Sequence, residues 1–600
     1  MSSLPCIASG DNGPVYHEIT DTLNYSTVIA ERGFIVSRKD SVILDGNLRA
    51  EEALTKIPGL LVNDNGGVSG LKTISLRGLG SAQTAIYIDG VRVGNLMSGQ
   101  TDISMLSMGN FSIATVDYAQ NSISFTSTEP IFQEGRKVSC NASFHGGSFG
   151  TYIPEISVGY KVNDEVTASA HTGATLYDGY REHSAMDQYF GGIDFSGKIE
   201  DGEWKVKGLI NYSDRECPGS ATYPYLSEQQ DINSLIQSNL IKSFNSTYSL
   251  NASAKVSYDN MNYTDAYSSN FYRQSEIQLN SSHLFRISPW CDLSATVSGS
   301  WNGLKSDNYE SGEGLISRVG IITAGSASFH TERLKAEVNL EYKGGYDRGP
   351  EIIDNRHCLS PSASIRYRLF DGFDIVAFGR RNCHIPTFND LYYSFQGNKD
   401  LKSETAWLTD IGFDWHKKLN GSWSLEAKAD GFFNWLTDKI TWAPSPQDEY
   451  TWLPYNIGKV RSVGADAIIS AKYSDKEWKA GVSARDSYQD ARDRTPDAST
   501  FNSQIAYIAK HTAVICADLE YKGWRLEAFW NFRGGRNDSY GPMPSWNTLD
   551  INASKTVKIK DACRLAFNLM ARNITDNHYE VSSGYPMPGW ALYGGMTISL

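Results

Sequence analysis

The residue types that carry most enzymatic and metal chemistry are present in this chain, but they are poorly spaced for it. Gly146-Gly147-Ser148-Phe149-Gly150 has the form of a nucleophile elbow, which needs a strand, a sharp turn and then a helix to present its serine. Residues 144–152 read as continuous strand, so Ser148 is expected to be an ordinary strand serine. No His-Glu-x-x-His pair and no phosphate-cradling glycine loop occurs, and the eleven histidines include no pair at metal-ligand spacing. The eight cysteines contain no Cys-x-x-Cys, so they supply neither a zinc pattern nor a dense disulfide framework, and most read as small strand residues. No catalytic residue and no required cofactor are expected, which leaves binding chemistry.

Composition narrows what is bound and where. With 68 acidic against 55 basic residues, the net charge of −13 argues against a nucleic-acid partner, which needs clustered lysine and arginine. A hydrophobic fraction of 40% is too high for a disordered chain. No apolar run reaches the roughly 18 residues of a spanning helix, but that test does not touch strands of about ten alternating residues. The 33 tyrosines and 14 tryptophans suit two interfacial girdles, although a tyrosine-rich glycan binder would show the same excess. Met1 to Gly10 lacks the basic region and apolar stretch of a secretory leader. If exported, this sequence is therefore mature, trimmed or begun late.

The elements that must position any site fall into two parts. In the first 130 or so residues, Asn47 is placed to cap a short helix with Ala50, Ala53, Leu54 and Ile57 along one side, stopped by Pro58 and Gly59. A strand over 60–63, a turn at 64–67 and a strand around 74–76 follow. Ile86 and Ile88 then lead through Asp89-Gly90 to Val91 and Val93, the signal of a type I′ hairpin. From about Arg136 hairpins repeat to the end, with tight turns at Asn163-Asp164, Asp201-Gly202, Asn420-Gly421, Asp475 and Lys522-Gly523. Between them lie long polar stretches at 177–189, 216–233, 302–313 and 489–502, expected to be loops. Short turns alternating with long loops are the asymmetry of an outer-membrane barrel, and the length available allows roughly 18 to 22 strands. A propeller would repeat a shared motif about every 40 to 50 residues, and none is found.

Several segments resemble the TonB-dependent receptors of Gram-negative outer membranes. Leu54-Thr55-Lys56-Ile57-Pro58-Gly59-Leu60, Ile74-Ser75-Leu76-Arg77-Gly78 and Ile86-Tyr87-Ile88-Asp89-Gly90-Val91-Arg92 match that family's plug signature in order and spacing. Pro386-Thr387-Phe388-Asn389-Asp390-Leu391-Tyr392 followed by Gly397-Asn398-Lys399-Asp400-Leu401-Lys402-Ser403-Glu404 resembles its mid-barrel signature. Tyr455 to Gly464, Ala571 to Glu580 and Gly584 to Gly589 extend the likeness over nearly the whole chain. The resemblance implies an all-β transmembrane barrel of 22 antiparallel strands around an N-terminal α+β plug, divided as residues 1–30, 31–135 and 136–600. Two departures stand out. Val116 to Asn121 replaces the family's usual Arg-Gly-Pro plug ending, and the last residue is Leu600, where an aromatic is usual.

The resemblance also implies sites. Asn24, Tyr25, Ser26, Thr27, Val28, Ile29 and Ala30 resemble the energy-coupling box, which adds as a strand to a TonB-type periplasmic protein, the alternative being a plain plug strand. Ligand contacts are expected from three plug apices: Asn65, Gly66 and Ser69; Gly80 and Ser81; and Asn95, Leu96, Met97, Ser98, Gly99 and Gln100. Ordinary turn chemistry would explain the same residues. Asp178, Asp187 and Asp231 fall in stretches where some cobalamin transporters hold calcium, although three scattered aspartates fall short of the 6 to 8 oxygens a calcium ion wants. No histidine lies between Thr387 and Glu404, where haem receptors of the family carry a ligand. The plug and C-terminal segments look most like the vitamin B12 branch, which implies import of cobalamin or a related corrinoid, with outer-membrane lipid and a surface lipoprotein that captures ligand as further partners. A ferric siderophore receptor, a passive adhesin and a barrel enzyme are the alternatives.

Overall fold

The computed structural model describes residues 38–600 apart from 45–47, 107–109, 223, 310–313, 420, 446–450, 497, 539–540 and 561–562. Its N-terminal part is a five-stranded sheet built from β1 (Lys39–Ile43), β4 (Ala85–Ile88), β5 (Val91–Val93), β6 (Phe111–Asp117) and β7 (Ser122–Ser127), in the order β1-β6-β7-β4-β5. A separate hairpin, β2 (Leu60–Asp64) with β3 (Lys72–Leu76), and the helix α1 (Ala50–Leu54) pack on it. Ala50, Ala53, Leu54 and Ile57 are buried in one cluster with Ile86, Ile88, Val116, Ile123 and Phe125, as their spacing predicts. The β4–β5 turn has φ of 47° at Asp89 and 81° at Gly90, the two positive values that a type I′ turn requires. The helix start differs from expectation. Arg49 is the N-cap residue and makes no side-chain cap, Glu52 instead accepts the Leu48 N–H at 3.3 Å, and Asn47 lies outside the described residues.

From Val138 the chain forms 22 antiparallel strands in a closed barrel, with the last strand, Ala591–Ser599, pairing with the first, Val138–Gly147. Leu600 exchanges backbone hydrogen bonds with Cys140 at 2.8 and 3.2 Å, so the chain's last residue helps to zip the seam. The usual alternation is inverted relative to a soluble protein. Ile193, Ile210, Ile236, Ile411 and Ile469 point outward and are half or more exposed, whereas Lys207, Gln237, Lys255, Gln274 and Asp430 point inward and are buried. Aromatic pairs ring the short-turn end, among them Tyr248–Phe285, Trp290–Phe329, Phe373–Phe413 and Trp478–Tyr521. Tyr189–Tyr212 and Trp530–Phe532 lie toward the long-loop end, completing the two belts.

Two expectations are corrected. The polar stretch 216–233 is not a loop: strands Gly202–Gly219 and Pro224–Ser243 run through it, because above the lipid both strand faces meet water or the lumen and apolar alternation is no longer required. The segment 144–152 is interrupted by a turn at Ser148–Gly150, with Phe149 at φ 61°; no helix follows, and the Ser148 hydroxyl accepts from Leu592 N at 2.9 Å in the last strand. Cys358 and Cys383 form a disulfide inside the lumen, just beyond Ser362–Arg380, where the ladder between their two strands ends.

The outward placement of Ile411, between the aromatic residues Phe413 and Trp407 of the same strand, has a measurable consequence. Ile411→Arg should cost about 2–4 kcal/mol in reversible folding into bilayers. An unchanged stability would mean that this strand face does not meet lipid.

Candidate functional site

Two walls of the lumen hold the plug in chemically different ways. On one wall, Arg77 directly follows β3 at φ 49° and is followed by Gly78 at φ 79°, a kink that turns the guanidinium sideways into the barrel. Its Nε donates to Asp466 at 2.9 Å and its Nη1 to Asp410 at 2.6 Å, and it also pairs with Asp430. These three aspartates come from adjacent strands, Glu404–Leu419, Trp423–Pro444 and Trp452–Ser474. The guanidinium lies between the rings of Tyr118, 4.0 Å away, and Phe432, 4.5 Å away. Burial alone would lower the Arg77 pKa, but Asp466 and Asp410 outweigh it and push it above its ordinary value. Arg38, at the start of β1, pairs with Asp430 and Asp40, and Lys428 lies 3.7 Å from Asp40. The Tyr118 hydroxyl is 2.9 Å from both the Asp40 carboxylate and the Pro58 carbonyl, and burial followed by Asp40 raises its pKa well above normal. The segment that departs from the usual plug ending therefore supplies a member of this latch.

On the opposite wall the contacts are mostly hydrogen bonds. Gln237 and Asn239 donate to the carbonyls of Ile88 and Asp89 at 3.2 and 2.6 Å, and Lys255 donates to that of Arg92 at 2.6 Å, which clamps the β4–β5 turn. Above this clamp a cavity of about 690 Å³ opens between the plug apices and the wall from Gly202–Gly219 to Ser269–Ser288, within the usual range for ligand pockets of about 300–1,000 Å³. Its charged lining residues are Asp102, Glu216, Asp231 and Asp259 against Arg215 and Lys255. Both cations are paired, Arg215 with Asp102 at 2.9 Å and Lys255 with Glu276 at 2.8 Å. Burial would raise Asp102, yet Arg215 and hydrogen bonds from Ser104 and Lys72 N–H hold it below the ordinary aspartate value.

Of the residues expected at the apices, Asn65, Ser69, Asn95, Met97, Ser98 and Gln100 line this cavity, and Gly66, Gly80, Ser81, Leu96 and Gly99 do not. The reason is that outer loops clasp the apices. Asn65 accepts from Ser582 at 2.9 Å, Ser69 donates to Ser184 O at 2.9 Å, and Gly66 lies under Tyr180. The helix α2 (Phe388–Tyr392), closed by a Thr387–Asp390 capping box, sends the Phe388 and Asn389 N–H groups to Leu96 O and Met97 O at 3.2 and 2.9 Å. Leu96 packs toward Leu304 and Phe388, and Gly99 abuts Thr387. Gly80 and Ser81 lead a turn whose Gln83 reaches Glu404 at 3.0 Å, away from the cavity. Turn chemistry is present as well, since Asn95 Oδ1 accepts from Met97 N at 2.7 Å.

The three candidate calcium ligands are not brought together. Asp187 and Asp231 lie on strands, one facing out and the other inward against Arg215 at 3.5 Å, and Asp178 follows strand Val166–Tyr177. Among the described residues no group of three or more His, Cys, Asp or Glu is arranged to hold a metal ion. Residues 24–30 lie outside the described residues. Sequence reasoning missed the wall: Asp410, Asp430, Asp466, Arg215, Lys255 and Gln274 are single polar residues on alternating strands, with no local motif to mark them.

A family model described as the TonB-dependent receptor-like β-barrel matches residues 139–574, and one for the TonB-dependent receptor plug domain matches residues 35–130. The chain belongs to the TonB-dependent receptor family. The family consists of transporters and receptors of the Gram-negative outer membrane, and is not one of enzymes. The vitamin B12 transporter BtuB of Vibrio vulnificus is 24% identical over 89% of this chain and 86% of its own length. That of Photobacterium profundum is 20% identical over 91% and 89%. Among solved structures, the unliganded ferric citrate transporter FecA has a TM-score of 0.76 at 15% identity, covering 94% of this chain and 97% of its own. The copper transporter OprC follows at 0.75 and 15%, with 94% and 98% covered. The FrpB iron transporter of Neisseria meningitidis (F3-3 variant) has 0.75 and 13%, with 93% and 99%. At these identities the structures share the fold alone.

The two walls lead to two tests on this TonB-dependent receptor. Arg77→Met leaves the buried Asp410 and Asp466 without their cation and Asp430 with Arg38 alone, and should cost about 3–5 kcal/mol of plug docking. Limited proteolysis should then cut the plug while the barrel stays intact; a protease-resistant plug would contradict the latch. Because Asp102 is held below its ordinary pKa, its stabilisation is complete above the usual aspartate value of about 3.9 and is lost as pH falls through its lower folded value. Protection of the Ser104 and Met105 amides, taken relative to the intrinsic exchange rate at each pH, should therefore fall in acid in the wild type and be low already at neutral pH in Asp102→Asn.

Proposed function

We propose that this receptor imports a bulky neutral nutrient of the corrinoid class across the outer membrane, using a TonB-type partner that engages Asn24 to Ala30 by strand addition. The observation that carries the ligand class is the charge of the cavity. Its two cations are paired, and four carboxylates face the same space. Anionic chelates are generally held by clustered arginine and lysine, and a net negative wall repels them. A neutral macrocycle meets no such penalty. Similarity over most of the chain to two vitamin B12 transporters supports the same choice. A division at residues 30 and 135 into box, plug and barrel accompanies this reading.

The test combines binding and uptake. Cyanocobalamin should bind the purified receptor saturably at submicromolar concentration, and energised cells should accumulate it. Val28→Pro removes a backbone donor and fixes φ. It should abolish uptake while leaving binding intact, and Thr27→Ala, which keeps every donor, should remain active. Submicromolar binding of a ferric siderophore with none of cyanocobalamin would overturn the ligand. Wild-type uptake by Val28→Pro would overturn the coupling segment.

A further inference from the structure

The outside of the barrel carries a charge pattern that the chain's own side chains leave uncompensated. Arg273, on strand Ser269–Ser288, lies directly opposite Lys305, on strand Cys291–Ser306, and both are exposed on the outward face. Farther down the same two strand faces are the apolar Ile277, Leu279 and Val297, each about half exposed. Cross-strand pairs on one face have Cβ atoms only about 4.5–5.5 Å apart, and like charges placed so are destabilising. Among the described residues neither cation forms an ion pair. Arg273 stacks on Phe271 at 4.8 Å and reaches Asn260 Oδ1 at 3.4 Å, both neutral partners. Asp307 accepts the Phe271 N–H at 3.2 Å and pairs with neither cation. Arg348, two strands farther round from Lys305, is exposed on the same face and bonds to the Asp347 carbonyl and Asn355 Oδ1 at 2.6 and 3.1 Å.

The height of this group on the wall decides what it meets. Arg273 is four residues above Ile277, and Lys305 is four above Trp301, a rise of roughly 13 Å along a strand toward the long-loop end. Apolar, aromatic and then cationic is the order of a membrane interface, where tryptophan sits at head-group level and long basic side chains reach beyond it. The Trp301 ring lies over Gly303, where a Cβ would come within 2.6 Å of it, so the ring extends up toward Lys305. Other parts of the outer end differ in charge. Asp187 and Glu228 are exposed on the outward faces of Met186–Ile199 and Pro224–Ser243, and Arg461 and Arg492 share Asp490 at 3.4 and 2.8 Å.

We propose that Arg273 and Lys305, with Arg348 beside them, bind a phosphate group of an outer-leaflet membrane lipid, and that Trp301 packs against that lipid below the phosphate. An anion between the two side chains turns their mutual repulsion into charge-assisted hydrogen bonds. The carrier is a lipid because the strand face below the cations continues into Ile277 and Val297, which need acyl chains against them. The site shares no residue with the lining of the lumen cavity, so it stands or falls independently of what the receptor imports.

The test uses the purified full-length receptor, stripped of lipid in a neutral detergent. It is re-exposed to bis-phosphorylated lipid A, to the same lipid with both phosphates removed, and to inorganic phosphate. Retention is read by native mass spectrometry and stability by thermal unfolding. The phosphorylated lipid should bind, raise the unfolding temperature of the wild type, and bind less as salt is added. Arg273→Gln and Lys305→Gln should each weaken it about fivefold, and together about 25-fold. Lys522→Gln, which removes a cation at the short-turn end, should bind as the wild type does. Without lipid the double variant should be at least as stable as the wild type, because it removes a like-charge pair. Equal retention by the double variant and the wild type, or equal binding of the dephosphorylated lipid, overturns the proposal. Stabilisation by inorganic phosphate at the concentrations at which the lipid acts makes the site one for a free ion and overturns it too. A double variant less stable than the wild type without lipid assigns the pair a structural role, with the same consequence.

Discussion

Arg77 is a cation almost wholly removed from water, 4% exposed, and its position is tolerable only because three carboxylates on neighbouring strands and two aromatic faces replace its hydration. Removing a charge from water costs several kcal/mol, and so does leaving its partners without it. The plug therefore has one orientation in which these groups are all satisfied. That orientation brings β1, at one edge of the sheet, to the wall formed by Glu404–Leu419, Trp423–Pro444 and Trp452–Ser474. Apolar lumen residues on the same wall, Ala406, Leu408, Leu436 and Val460, join the plug core there.

The opposite edge, β5, then has to meet the far wall, and it does so through side-chain amides and one lysine at the β4–β5 turn. The cavity lies above that turn because the plug sheet is seated tightly on one side of the lumen and less fully fills the other. Outer loops finish the enclosure. The loop carrying α2 reaches Leu96 and Met97, and the disulfide Cys358–Cys383 lies at the foot of that loop, where strand pairing has already stopped. Ligand chemistry is thus assembled from plug, wall and loop, and no one segment contains it.

The plug hairpin and the barrel turns were legible in sequence because each depends on neighbours along the chain. Asp89-Gly90 and Lys522-Gly523 need positive φ at both residues, a local demand that local residues declare. Outward Ile193, Phe195 and Ile210 alternate with polar partners for the same reason. The stretch 216–233 was misread because strands that rise above the membrane lose the lipid-facing requirement and look like loops. Asp178, Asp187 and Asp231 share the character of polar stretches in the sequence, but strand alternation sends Asp187 and Asp231 to opposite faces.

The sequence by itself determined the architecture: an α+β unit followed by hairpins with short turns at one end, whose strand faces alternate for lipid and lumen. These follow from φ preferences and from the period of a pleated strand, both set within a few residues. Which inward polar residues become a latch and which become a ligand lining was decided only in the tertiary structure. Asp410, Asp430 and Asp466 are separated along the chain and become one site only when three strands lie side by side. Gln274 gains its meaning from Leu96, 178 residues earlier, because the plug must be inside the closed barrel before that amide has anything to hold.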